Sequence, residues 1–172
     1  LGYDYLPLKD AEWNLDTNIF TDVFLKSVLK INDSFNLLGV WTHKNNSPNF
    51  GYMGQFWKYL EVNIDKLDEV IIAGDFNSNA IWDEWDRWWN HTDVVNTLDK
   101  NNIKNIYHQL RKEEQGKEIE PTFYMHRKIE KPYHIDYFFC SNSILKNVKA
   151  LKIGEKEHWL ELSDHLPLVL EL

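Results

Sequence analysis

The chain has 172 residues, 43% of them hydrophobic and 15% aromatic, with a formal net charge of −8 and one cysteine. That is enough for one domain with a substantial core, and its composition excludes a disordered polypeptide, an internal disulfide and a Cys-rich zinc site. The acidic balance speaks against a sequence-independent electrostatic grip on nucleic acid or an anionic membrane, so a phosphate substrate has to be met locally, through bound cations.

In chain order, Val23 to Ile31 and Phe35 to Trp41 are apolar-rich runs flanking Asn32-Asp33-Ser34, the pattern of a β-hairpin, with His43 just past its second strand. Lys44 to Gly54 reads as a loop, and Phe56, Tyr59, Leu60 and Ile64 recur at helical spacing between Gln55 and Leu67. Val70-Ile71-Ile72-Ala73 stops at Gly74 and reads as a fully buried strand. Residues Ile81 to Leu98 and Ile103 to Leu110 are expected to be helical, with Asn90 or Thr92 as a cap between segments. Arg111 to Glu120 is a charged run, expected to be a solvated loop or hairpin tip. Pro121 to Met125, Tyr133 to Cys140 and Leu166 to Leu172 read as strands. The alternation of helices, strands and polar turns predicts an α/β fold in a single domain covering 1–172. No apolar run approaches the ~20 residues of a membrane-spanning helix, and no signal-peptide core opens the chain. Location stays unknown, with the cytoplasm favoured.

Three polar signatures carry chemistry: Gly74-Asp75-Phe76-Asn77, His134-Ile135-Asp136-Tyr137 and Ser163-Asp164-His165-Leu166-Pro167. Each stands at a strand end, where active sites of layered α/β proteins form. Asp75 and Asn77 are two apart and project to the same side, with Phe76 turned into the core; an Asx turn is the structural alternative. Asp136 lies inside an apolar strand and needs a partner, which His165 supplies while being held in one tautomer. Cys140 reads as a small buried apolar residue. Trp82, Trp85 and Trp89 stand at helical spacing and predict one aromatic stripe, packed in the core or, if exposed, stacking on a base or sugar or dipping into lipid.

The ordered set of His43, Gly-Asp-Phe-Asn at 74–77, His-Ile-Asp-Tyr at 134–137 and Ser-Asp-His-Leu-Pro at 163–167 resembles the endonuclease/exonuclease/phosphatase superfamily, the group typified by DNase I. The resemblance runs from about Val23 to the end. It implies a four-layer α/β sandwich and a Mg2+- or Mn2+-dependent phosphoesterase that attacks through an activated water. Under it, Asp75 orients or deprotonates that water and Asn77 contacts the scissile phosphate. His165 stabilises the developing charge, Asp136 holds His165, and Asp164 is a metal-site carboxylate. His43 resembles the strand-end histidine of the DNase I, sphingomyelinase and deadenylase branches. Pro121-Thr122-Phe123 resembles a segment that recurs before the Asp-Tyr motif, and Thr122 is read as structural.

The family's main metal ligand, a glutamate on an N-terminal strand, has no match here; Glu12, in a polar stretch, does not fit. The expectation is therefore a C-terminal portion of a larger domain whose N-terminal strands are missing, whose last strand lacks its partners, and which dimerises, binds its missing half or is poorly stable; by itself such a chain is expected to be inactive or very slow. A phosphate-ester substrate is implied, with nucleic acid the leading choice. Phospholipid or inositol-phosphate hydrolysis, and a catalytically incomplete Trp-rich binding module, are the alternatives. Arg111, Lys112, Lys117, Arg127, Lys128 and Lys131 form either a local basic flank or a solvated hairpin balanced by Glu113, Glu114, Glu118 and Glu120.

Overall fold

The computed structural model describes residues 28–31, 35–44 and 50–172. Strands β1 (Val28–Ile31) and β2 (Phe35–Trp41) pair antiparallel, as the two apolar runs predict, while the intervening turn, residues 23–27 and Glu12 lie outside the described residues. Helix α1 (Met53–Asn63) starts two residues before the predicted boundary and crosses to β3 (Val70–Asp75), which pairs parallel with β2. Beyond α2 (His91–Lys100), β4 (Ile103–Asn105) and α3 (Ile106–Arg111) come the short strands β5 (Phe123–Tyr124) and β6 (Pro132–Tyr133), and then β7 (Asp136–Ser141). The main sheet has the order β1-β2-β3-β7-β4, with β7 antiparallel to both neighbours.

Both faces of this sheet are buried, which is why β3 reads as an unbroken apolar run. Val70, Ile72, Leu38, Val40, Tyr137 and Phe139 pack with Phe56 and Leu60 of α1 and Val94 and Leu98 of α2. On the opposite face, Ile71 and Cys140 belong to a second core with Ile106, Tyr107 and Leu151, joined by Leu168 and Leu170. Leu151 comes from β8 (Ala150–Ile153) and Leu168 and Leu170 from β9 (Leu168–Glu171), an antiparallel ribbon preceded by α4 (Asn142–Leu145) and interrupted by α5 (Lys156–Trp159). Helices, sheet and ribbon thus form successive layers, and Cys140 is fully buried as expected.

Four expectations need correction. The helix predicted from Ile81 is a 3-10 turn (Ala80–Trp82) followed by irregular chain up to Asn90, because α2 is capped only at its own start. There the Asp83 carboxylate accepts from the His91 and Thr92 amides at 2.9 and 3.2 Å, and Asp93 accepts from the Asn90 amide at 2.8 Å. Among the described residues there is no helical tryptophan stripe: Trp82, Trp85 and Trp88 are exposed on the loop, and Trp89, half-buried, packs on Phe50 at 5.8 Å.

The helix predicted over Ile103 to Leu110 is a short strand and then α3, with the Asn105 side chain accepting from the His108 amide at 3.3 Å. The charged run 111–120 is not simply solvated: Glu118 is buried against His108, Oε1 to Nε2 3.0 Å, and is hydrogen-bonded to Asn79. Arg111 pairs with Glu120 and Lys117 with Glu114, so for these two of the six cations the balanced-hairpin alternative holds. Finally, the last strand has a partner in β8, so the expected loss of all its pairing does not occur.

Candidate active site

The two central strands bring the first two signatures face to face. Asp75, the last residue of β3, is the cross-strand partner of Asp136, the first residue of β7. Like charges directly opposed on a sheet are destabilising, and a fold that keeps such a pair sets stability against what the pair does. The strands come this close to β2 because residue 74 is glycine: its φ is +149°, and a Cβ there would stand 1.8 Å from the Val40 carbonyl oxygen.

Asp75 is fixed from its own turn. Oδ1 accepts from the Asn77 amide at 2.8 Å and Oδ2 from Asn77 Nδ2 at 2.8 Å, while Nδ2 also donates to the Thr42 carbonyl at 2.8 Å. The Asx-turn alternative and the functional reading therefore hold together, since the turn is what aims the carboxylate. Asn77 has φ 43°, a left-handed conformation that Asn tolerates. Phe76 is fully buried between Phe56, Tyr137 and Phe139, as the alternation predicts.

The third signature arrives from the chain just before β9. His165 Nδ1 lies 3.1 and 3.2 Å from the two Asp136 oxygens, so the buried-carboxylate problem is solved by the expected partner. The backbone bridges Phe123 to His165, and their rings stand 4.7 Å apart. On its other edge, His165 Nε2 faces Asp75 Oδ2 at 4.0 Å, too long for a hydrogen bond and wide enough for one intervening atom. Ligand-capable atoms of Asp75, Asp136 and His165 all lie within 4.8 Å of one another and could hold a metal ion. A cavity of about 330 Å³, lined by Ala73 to Asp75, Asp136 to Phe138 and Leu166 to Leu168, opens beside them.

Thr122 has the structural role that its place in the sequence suggested. It is fully buried, and its Oγ1 accepts from the Ile135 and Asp136 amides at 3.0 and 3.1 Å, while its carbonyl accepts from the Leu166 amide at 2.7 Å. One threonine thus ties the Asp136 segment to the His165 segment; its only signal in sequence was its place between Pro121 and Phe123.

Two expected residues stand outside the cluster. Asp164 neighbours His165, adds to the charge around it, and gives its carbonyl to the Tyr124 amide at 2.8 Å. His43 follows Thr42 at the end of β2 with Nδ1 at 2.9 Å from the Lys44 carbonyl, and its own carbonyl accepts from Tyr52 N and Gln55 Nε2. Backbone thus carries this segment to the site, because Thr42 N donates to the Asp75 carbonyl.

The electrostatics split the two titrating partners. Burial first, then the Asp136 charge, pushes the Asp75 carboxyl up to about 6, against the pull of the Asn77 hydrogen bonds and of His165. The hydrogen bond to Asp136 raises His165 despite partial burial, helped by the surrounding carboxylates.

The fold recurs in solved structures. The chain superposes on a Neisseria 3′ phosphatase bound to a product DNA hairpin, with TM-score 0.58 and 14% identity over 99% of this chain and 69% of that one. An endonuclease for abasic sites from Archaeoglobus fulgidus matches with TM-score 0.56 and 18% identity, over 84% of this chain and 64% of that one. The fold is DNase I-like.

The DNase I-like likeness extends to the endonuclease domain of a telomere-specific non-LTR retrotransposon, at TM-score 0.50 and 19% identity. No protein-family model and no curated relative matches the sequence. The chain spans about two thirds of the length of these DNase I-like structures.

Proposed function

We propose that the chain carries the hydrolytic centre of a divalent-metal-dependent nuclease, which cleaves a phosphodiester with an activated water and no covalent intermediate. The observation that carries this reading is the triangle of Asp75, Asp136 and His165, in which a base and a hydrogen-bond donor face one gap 4.0 Å wide. Near neutral pH most Asp75 is ionised and can take a proton from water, and a carboxyl near 6 is well matched to that task. His165, kept basic and oriented by Asp136, presents Nε2 to a phosphoryl oxygen that gains charge as the bond breaks. Asn77 shares Nδ2 between Asp75 and Thr42, beside the same oxygens, and is assigned contact with the scissile phosphate. His43 is assigned as a further donor to the phosphate.

The donor set suits a hard cation. Two carboxylates opposed across a strand pair, one of them pushed up by burial and then by the other's charge, form a site that a divalent ion would relieve. Mg2+ or Mn2+ would be held by carboxylates of this group, with Asp164 assigned as a ligand. Such an ion would polarise the phosphate and neutralise developing charge.

The test is turnover of a labelled oligonucleotide and of bis(4-nitrophenyl) phosphate with and without added Mg2+ or Mn2+. The expected result is hydrolysis that depends on the ion and stops with EDTA; EDTA-resistant hydrolysis, or none with any ion, overturns the proposal.

The pH profile gives a second check. Activity should rise with pH as Asp75 loses its proton, with a midpoint at or below about 6. Because protons and cations compete for carboxylates, that midpoint should move to lower pH as metal concentration rises. A rate independent of pH between 5 and 7 at low metal, with chemistry rate-limiting, would exclude Asp75 as the base.

A further inference from the structure

We infer that the loop from Ile81 to Trp88 is a stacking wall for unpaired nucleobases of the substrate strand, an assignment that rests on the nuclease reading above. Its large apolar side chains point outward: Trp85 is 97% exposed, Trp88 65%, Ile81 54% and Trp82 42%. Large apolar side chains left exposed together on one short loop mark an interaction site.

The loop holding these rings is built rigidly. At its start, the Asn79 side chain accepts from the Ile81 amide at 3.0 Å, and its Nδ2 lies 2.9 Å from the His134 carbonyl and 3.0 Å from the Tyr137 hydroxyl. At its end, Asn90 Nδ2 donates to the Glu84 and Arg87 carbonyls, and its Oδ1 accepts from the Glu84 amide and Arg87 Nε. Arg87 Nη2 reaches back to the Trp82 carbonyl at 2.8 Å. Rings presented by a braced loop lose little conformational freedom on binding.

Position decides the occupant. Trp82 lies 5.2 Å from the ring of Tyr133, Tyr133 lies 6.4 Å from Phe123, and Phe123 lies 4.7 Å from His165. A continuous aromatic path therefore runs from the catalytic histidine to the exposed loop. Asp86, exposed on the same loop, repels phosphates and anionic lipid alike, while the loop's cation, Arg87, is paired with Glu84 at 3.4 Å. A strand approaching this wall is thus met through its bases rather than its backbone, and only unpaired bases have free faces to offer.

The test uses the full chain carrying Asp75→Asn, so that nucleic acid is bound without being cleaved. Anisotropy of a labelled oligothymidylate and of a duplex of equal length is compared before and after adding Trp85→Ala, Trp88→Ala or Trp85→Phe. Circular dichroism and thermal melting check that each variant is folded. Each alanine variant should weaken the single strand roughly tenfold or more, with less effect on the duplex, and Trp85→Phe should restore most of the loss. Unchanged single-strand affinity in both folded alanine variants overturns the inference. So does equal weakening of duplex and single strand, or Trp85-dependent binding to phosphatidylcholine vesicles without any to the single strand. Turnover of bis(4-nitrophenyl) phosphate by the unsubstituted chain reports on the hydrolase reading separately: Trp85-dependent strand binding without turnover supports the wall and removes the enzyme.

Discussion

Asp75→Asn is expected to abolish hydrolysis and, in the absence of metal, to make the folded chain more stable at pH 8. A positioned general base contributes about 10²–10⁴-fold to rate, and removing one that also aligns the water should cost at least the upper part of that range. The stability gain follows from linkage. The carboxyl rises from 3.8 when unfolded to about 6 when folded, so folding favours its protonated form. The native state is therefore unpenalised below about pH 4 and loses stability as pH rises through 6, by about 3 kcal/mol once ionisation is complete.

Asparagine keeps an oxygen for the Asn77 amide but turns an NH2 group toward Asn77 Nδ2, which returns about 1 kcal/mol of that gain. A melting temperature higher by roughly 5 °C at pH 8, vanishing near pH 4, is the expected pattern. Retained activity would remove Asp75 from the chemistry. A melting temperature unchanged or lower at pH 8 would show that the opposed carboxylates carry no strain. The pattern expected is the usual exchange of stability against activity at a catalytic group.

Gly74→Ala should have the largest effect on folding. The new methyl group would meet the Val40 carbonyl oxygen at 1.8 Å, at a φ of +149° that L-residues rarely adopt. Val40 and Gly74 are register partners in the parallel β2-β3 pair, so the clash can be relieved only by parting the two central strands beside Asp75. Backbone strain of this kind alone costs about 1–3 kcal/mol, and the lost pairing adds to it. Loss of soluble expression, or a melting temperature lowered by more than 10 °C, is expected; a variant melting within about 2 °C of the parent would show that the strands can separate at little cost.

Much of the site is legible in the sequence because its members lie at strand ends, and strand ends are marked by abrupt changes of polarity. Asp136 announced its need for a partner by interrupting an apolar run, and His165 is that partner. The aromatic loop was misread for the opposite reason. Trp82, Trp85 and Trp89 happen to fall at helical spacing, and periodicity cannot register that Asp83 and Asn90 start the helix only at His91. Thr122 was legible as a structural residue, but which amides its hydroxyl serves was not, because a buried hydroxyl serving two amides leaves no pattern along the chain. The charged run 111–120 looked solvated because composition does not reveal that His108, from α3, would reach Glu118.

The sequence by itself determined the α/β class, the buried central strands and the identity of the acidic and histidine residues at their ends. These follow from local rules: side-chain alternation, apolar run length, and the cost of an unpaired buried charge. Tertiary structure alone decided that Asp75 and Asp136 stand opposite one another and that one threonine joins two distant segments. It also decided that Trp82, Trp85 and Trp88 stand exposed on the chain before α2 and that the Trp82 ring lies against Tyr133. Those relations depend on strand register and on contacts between residues far apart in the chain, and no periodicity within a single segment encodes them.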